Sequence, residues 1–175
     1  DLLSAARPIA EELSEELGET VHMGVLDGDA AVYVLKIESK YTIRMYSRVG
    51  RRMPLYCTAI GKLLLAFSDP AEREASLEGV RLLAFTKNTI TTRAALDAEL
   101  VKIREQGFAL DDEEREESLH CIGAPIFDYS GSVVAVLSVS WPSFRYGRTE
   151  ESGWIETVKA AAARISAVLG YNQEA

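Results

Sequence analysis

The residues best placed to do chemistry in this sequence lie at the start of a helix. In the stretch 50–67, GRRMPLYCTAIGKLLLAF, a basic turn and a proline lead into a helix whose first residues are small. The first N–H groups of a helix have no partner within it, and the helix dipole places positive charge behind them. Such an end suits a carboxylate. Small residues at Thr58, Ala59 and Gly61 would let a ligand approach the backbone closely, while Arg44, Arg48, Arg51, Arg52 and Lys62 gather positive charge around it. The other reading of the same stretch is an ordinary capped helix beside solvated arginines.

Three further constellations invite a chemical reading. Cys121 next to His120 suggests a nucleophile and its base, but neighbouring residues of a strand point to opposite faces, which rules out a dyad if the segment is extended. A phosphate loop built on Gly61 and Lys62 fails on spacing, because Tyr56 stands where the earlier glycine belongs and Leu63 replaces the hydroxyl residue. The acidic run from Asp111 to Glu117 could hold a cation, yet such runs are usually solvated faces. His22 and His120 read as isolated structural histidines and Cys57 as a free buried thiol. No catalytic residue, metal or cofactor is expected.

Composition narrows the function classes. The 175 residues, 47% hydrophobic and 26% charged, suit a single domain over 1–175 with a sizeable core. A net charge of −8 argues against this chain binding DNA or an anionic membrane unaided. No run approaches the roughly 20 apolar residues of a membrane span, and the start is amphipathic rather than signal-like, so a cytoplasmic protein is expected. Two cysteines without CxxC spacing indicate neither a disulfide framework nor a zinc knuckle.

The elements that must position these residues follow from periodicity and punctuation. Leu2, Leu3, Ala6, Ile9, Ala10, Leu13 and Leu17 mark an amphipathic helix stopped by Gly18. Its abrupt start suggests a fragment whose preceding part has been removed. Val21–Leu26 and Ala30–Ile37 read as strands around the turn at Gly28, and Thr42–Arg48 as a third. Helices are predicted over Thr58–Phe67, after Asp69 and Pro70, and over Thr92–Gln106 ahead of Gly107. Leu119–Phe127 and Ser132–Trp141 form a hairpin, and Thr149 caps a last helix carrying Trp154, Val158, Ile165 and Leu169, ended by Gly170. This order gives an α+β fold with helices on an antiparallel sheet. In the last strand Val133, Ala135, Leu137, Val139 and Trp141 should face the terminal helices. Val134, Val136, Ser138 and Ser140 share the other face, which suits a small polar cavity. The terminal helices are also expected to contribute to self-association.

Taken together, GRRMPLYCTAIGK at 50–62, DDEEREESLHCIGAPIFD at 111–128 and LSVS at 137–140 resemble the C-terminal effector-binding domain of IclR-type transcriptional regulators. The segments at 32–37, 43–47 and 89–91 look closest to the subgroup repressing pectin and 2-keto-3-deoxygluconate breakdown. The resemblance covers roughly 1–171 and implies a GAF-like fold with a ligand pocket on one face of the sheet. It also implies a winged helix-turn-helix ahead of Asp1, a homodimer or homotetramer, and operator DNA bound through that preceding domain in response to a small carboxylic acid. Carried over by position, the pocket falls on Thr42, Met45, Met53, Ala59, Ile60, Asp111, Leu119, Cys121, Ser138 and Ser140. Family members often have glycine where Ala59 stands and an apolar residue where Thr42 stands. The competing readings are a GAF-like sensor module of another signalling protein and an enzyme.

Overall fold

Local chemistry sets most element boundaries. In the computed structural model, which describes residues 1–174 but not the side chains of Arg148 and Thr149, helix α1 spans Leu2–Leu17. Its first turn is capped by the Asp1 carboxylate, which accepts from Leu3 N–H at 3.1 Å. Gly18 ends it in the left-handed region at φ 75°, where a side chain would be strained. Strands β1 (Thr20–Asp27) and β2 (Ala30–Ile37) form the expected hairpin. Helices α2 (Ala59–Phe67), α3 (Pro70–Leu77) and α4 (Arg93–Gln106) are capped by Thr58, Asp69 and Thr92, each accepting a backbone N–H from the first turn.

The third strand is not where periodicity placed it. Residues 42–48 form no strand, and β3 is the short Arg52–Pro54 pairing with β2. Side-chain bonds hold the intervening segment instead: His22 Nε2 lies 2.6 Å from Ser47 Oγ, and Lys36 donates to Ser47 O at 2.7 Å. A fourth strand, β4 (Ala109–Asp112), takes up the start of the acidic run. Strands β5 (Leu119–Phe127) and β6 (Val133–Pro142) follow, then helix α5 (Arg148–Val168). This last helix starts ahead of Thr149, whose side chain lies outside the described residues. Its N-cap is Gly147, whose N–H donates to the Glu150 carboxylate.

The six strands make one antiparallel sheet in the order β3-β2-β1-β6-β5-β4. Helices α1 and α5 cover one face, burying Ile9, Leu13, Val158 and Ile165 against Met23, Ile122, Leu137 and Val139. Helices α2 and α4 cover the other, with Leu63, Leu96 and Ile103 packed towards Tyr33 and Val136. Ala135, Leu137, Val139 and Trp141 therefore face the terminal helices as expected. Val133 and Val134 are exchanged between faces, because a bulge where Phe127 pairs Val133 inserts one residue and reverses the alternation. The sheet takes up most of the apolar surface of α1 and α5. Trp154 stands edge-on to Trp141 at 5.0 Å, and among the described residues Leu3 and Val168 are the large apolar side chains left exposed on these two helices.

Candidate functional site

Helix α2 is pressed into the sheet by glycines. A Cβ on Gly24 of β1 would lie 2.8 Å from Ile60, and one on Gly61 would lie 2.4 Å from the Leu55 backbone. Gly61 thus serves close chain packing, not the ligand approach read from the sequence. Thr58 Oγ1 donates to Pro54 O and accepts from Gly61 N–H at 3.0 Å, which fixes the helix start over the sheet. The N–H groups of Ala59 and Ile60 precede the first bond of the helical ladder, Lys62 N–H to Thr58 O.

Between this helix start and the sheet lies a cavity. Met53, Ala59, Ile60, Asp111, Leu119 and Cys121 line it, together with Met45, Ser138 and Ser140, so nine of the ten positions carried over by resemblance surround one space. The tenth, Thr42, is exposed on the 38–51 segment and does not line it. The cavity's free volume is about 20 Å³, room for about one water. Cys121 pairs with Ser140 across the strands, Sγ and Oγ 3.1 Å apart, and Ser138 sits in register between His22 and Gly123. His120 points to the opposite face and stacks on Trp141, so it forms no dyad with Cys121.

The family pattern described as bacterial transcriptional regulator IclR C-terminal matches residues 1–167. The chain belongs to the IclR family. It is 47% identical over 172 residues to the HTH-type transcriptional regulator KdgR of Escherichia coli, covering 98% of this chain and 65% of that protein. KdgR of Dickeya chrysanthemi is 43% identical, with 98% and 56% covered. The chain thus spans about two thirds or less of these relatives. The crystal structure of the C-terminal domain of E. coli KdgR superposes with a TM-score of 0.88 at 44% identity, covering 97% of this chain and 99% of that one. The Thermotoga maritima IclR structure gives 0.91 at 38% identity, covering 98% and 69%. The matched family region is the C-terminal part of these regulators, and both KdgR relatives are named as transcriptional regulators, not as enzymes. No helix among the described residues is long and apolar enough to cross a membrane.

In this IclR domain the cations read from the sequence are not on the cavity wall. Arg52 pairs with Asp27, Arg44 with Glu38, and Lys62 is fully buried beneath α2, donating to both Glu114 oxygens (2.9 and 3.0 Å) and to Leu110 O (2.7 Å). Lys62 also explains why Glu114 of the acidic run is buried, since it supplies the counter-charge, while Asp112, Glu116 and Glu117 are exposed. The wall's cation is Arg115, which the sequence reading passed over as part of that run. A single arginine amid carboxylates was the available signal.

Asp111 is buried and accepts from Glu114 N–H at 2.8 Å, so it folds the 111–116 turn besides facing the cavity. Burial, then the neighbouring Glu114 charge, push its carboxyl up from an ordinary 3.8 to about 7. The folded state therefore holds this proton more tightly than the unfolded state. Its contribution to stability is present below pH 3.8 and is lost as pH rises towards about 7. Asp111→Asn keeps an oxygen for Glu114 N–H and should flatten the decline in unfolding midpoint between pH 4 and 7, measured by thermal unfolding across that range.

Proposed function

We propose that this domain senses a small carboxylic acid, a 2-keto acid or sugar acid such as 2-keto-3-deoxygluconate. In the intact regulator its occupancy would modulate operator binding by a winged helix-turn-helix preceding Asp1, within a homodimer or homotetramer. The observation that carries this reading is that a helix start with free N–H groups and a pair of strand hydroxyls share one cavity. The carboxylate would sit against Ala59 and Ile60 N–H. Ser138, Ser140 and Asp111 would engage a keto or hydroxyl oxygen, while Met45, Met53 and Leu119 form the apolar wall. On the same sheet face, though outside the cavity lining, Thr20 Oγ1, in register with Ser140, and His22 Nδ1, in register with Ser138, are buried and make no hydrogen bond among the described residues. Burial holds His22 down at about 3, so its ring is neutral. The closed cavity must part its walls to admit a six-carbon acid. Its least regular wall is the 38–51 segment that carries Met45.

Calorimetric titration with 2-keto-3-deoxygluconate, gluconate and pyruvate tests the reading. Each lost hydrogen bond costs about 0.5–1.5 kcal/mol, and a ligand oxygen left unpaired about 1–3 kcal/mol. Ser138→Ala with Ser140→Ala should therefore weaken binding about tenfold or more with the fold intact. Unchanged affinity would place the ligand elsewhere.

A further inference from the structure

Among the described residues, Arg115 is the only cation lining the cavity, where it shares the wall with Asp111 and Glu116. Lys62 and Arg52, among the cations around α2, are already committed to carboxylates. Arg115 makes no ion pair and no side-chain hydrogen bond among the described residues, and its Nε is buried without a partner. The guanidinium carbon rests 4.1 Å from the centre of the Phe85 ring, a stacking contact that occupies the face of the group and leaves its N–H edge unused. Its backbone is not free to wander. The turn that carries it is tied by Asp111 to Glu114 N–H, by Thr89 Oγ1 to Glu114 O at 2.6 Å, and by Lys62 to the Glu114 carboxylate.

A half-buried guanidinium with no acceptor is under-satisfied, and the group it matches best is a planar carboxylate, which its fork can bind through two hydrogen bonds. Without Arg115 the cavity wall would carry carboxyl groups and no cation, a poor host for any acid. We propose that Arg115 sets the charge selectivity of the cavity, acting as counter-ion to the effector carboxylate so that the site takes an acid in preference to its uncharged counterpart. The α2 N–H groups then supply direction and Arg115 supplies charge. This rests on the acid-sensing reading above.

The test titrates the wild-type domain, Arg115→Gln and Arg115→Lys with the same three acids and with their methyl esters. Arg115→Gln should lower affinity for an acid at least tenfold while changing affinity for its ester less than threefold, and Arg115→Lys, which keeps the charge but loses the fork, should fall between. Thermal unfolding checks that both variants are folded; if the glutamine variant is not, the arginine-to-lysine ratio of acid to ester affinity decides. Equal losses for acid and ester, or no loss for the acid, would overturn the assignment while leaving acid sensing standing. If wild type binds none of the three acids, the sensing reading falls and the role of Arg115 with it.

Discussion

Lys62→Met is expected to cost about 3–5 kcal/mol of folding stability, because it removes one member of a buried ion pair and strands the other. Lys62 is fully buried and its Nζ holds both oxygens of Glu114 and the carbonyl of Leu110. Methionine fills similar volume without charge or donor. The Glu114 carboxylate would keep only Asp112 N–H at 3.1 Å, with the Asp111 carboxyl still beside it. In a domain whose total stability is about 5–15 kcal/mol, that is a large share. With about 2–4 °C per kcal/mol for a chain of this size, the unfolding midpoint should drop by about 10 °C. A second variant separates the pair from its parts. Adding Glu114→Gln to Lys62→Met removes the stranded charge, so the double variant should recover part of the loss, and the coupling read from the cycle should be clearly non-zero. Urea unfolding of the four proteins measures it. Additive losses would show that the two groups do not depend on each other.

The same pair shows why parts of the fold were legible in the sequence and others were not. Caps and stops were readable because they are local: Asp69 ahead of Pro70, Thr92, Gly18 and Gly107 each act within one turn of their own residue. The hairpin of β5 and β6 announced itself by alternation. Thr42–Arg48 alternates too, yet that segment is held by His22 and Lys36, which lie on neighbouring strands, and its backbone pairs with none. The exchanged faces of Val133 and Val134 come from one inserted residue, and no period-two pattern carries a bulge within it.

The site divides along the same line. Nine positions named by resemblance meet at one cavity because the strand faces and the helix start that carry them are regular elements. Charge was misplaced because its partners are distant in sequence. Lys62 finds Glu114 across 52 residues and turns inward, so the basic residues near α2 do not make a cationic mouth. Arg115 looked like one more side chain on a wet acidic turn. It reaches the wall only because Asp111 and Glu114 are buried and fold the turn over the cavity.

The second large effect is expected at Gly61, and its sign discriminates between two physical accounts. Alanine is the better helix former by about 1 kcal/mol, so propensity alone predicts that Gly61→Ala stabilises α2. The packing predicts the reverse. A Cβ there would lie 2.4 Å from both the Cα and the carbonyl oxygen of Leu55 and 2.6 Å from Thr58 Oγ1. Carbon atoms rest at about 3.5–4.0 Å, and two of the three obstructing atoms are backbone, which cannot rotate aside. Relief requires α2 to move off the 54–58 turn, which would break the Thr58 cap and lift a helix whose residues from Ala59 to Ala66 are all buried. A loss of about 4 kcal/mol or more is therefore expected. The control is Gly153 in α5, exposed and with nothing within 4 Å of its would-be Cβ, where the same substitution should stabilise by about 0.5–1 kcal/mol. Thermal unfolding of the two variants should move in opposite directions. Because Ala59 and Ile60 move with the helix start, Gly61→Ala should also weaken acid binding at temperatures where the domain is still folded, and a destabilised variant with undiminished acid affinity would mean that the carboxylate is not held by α2.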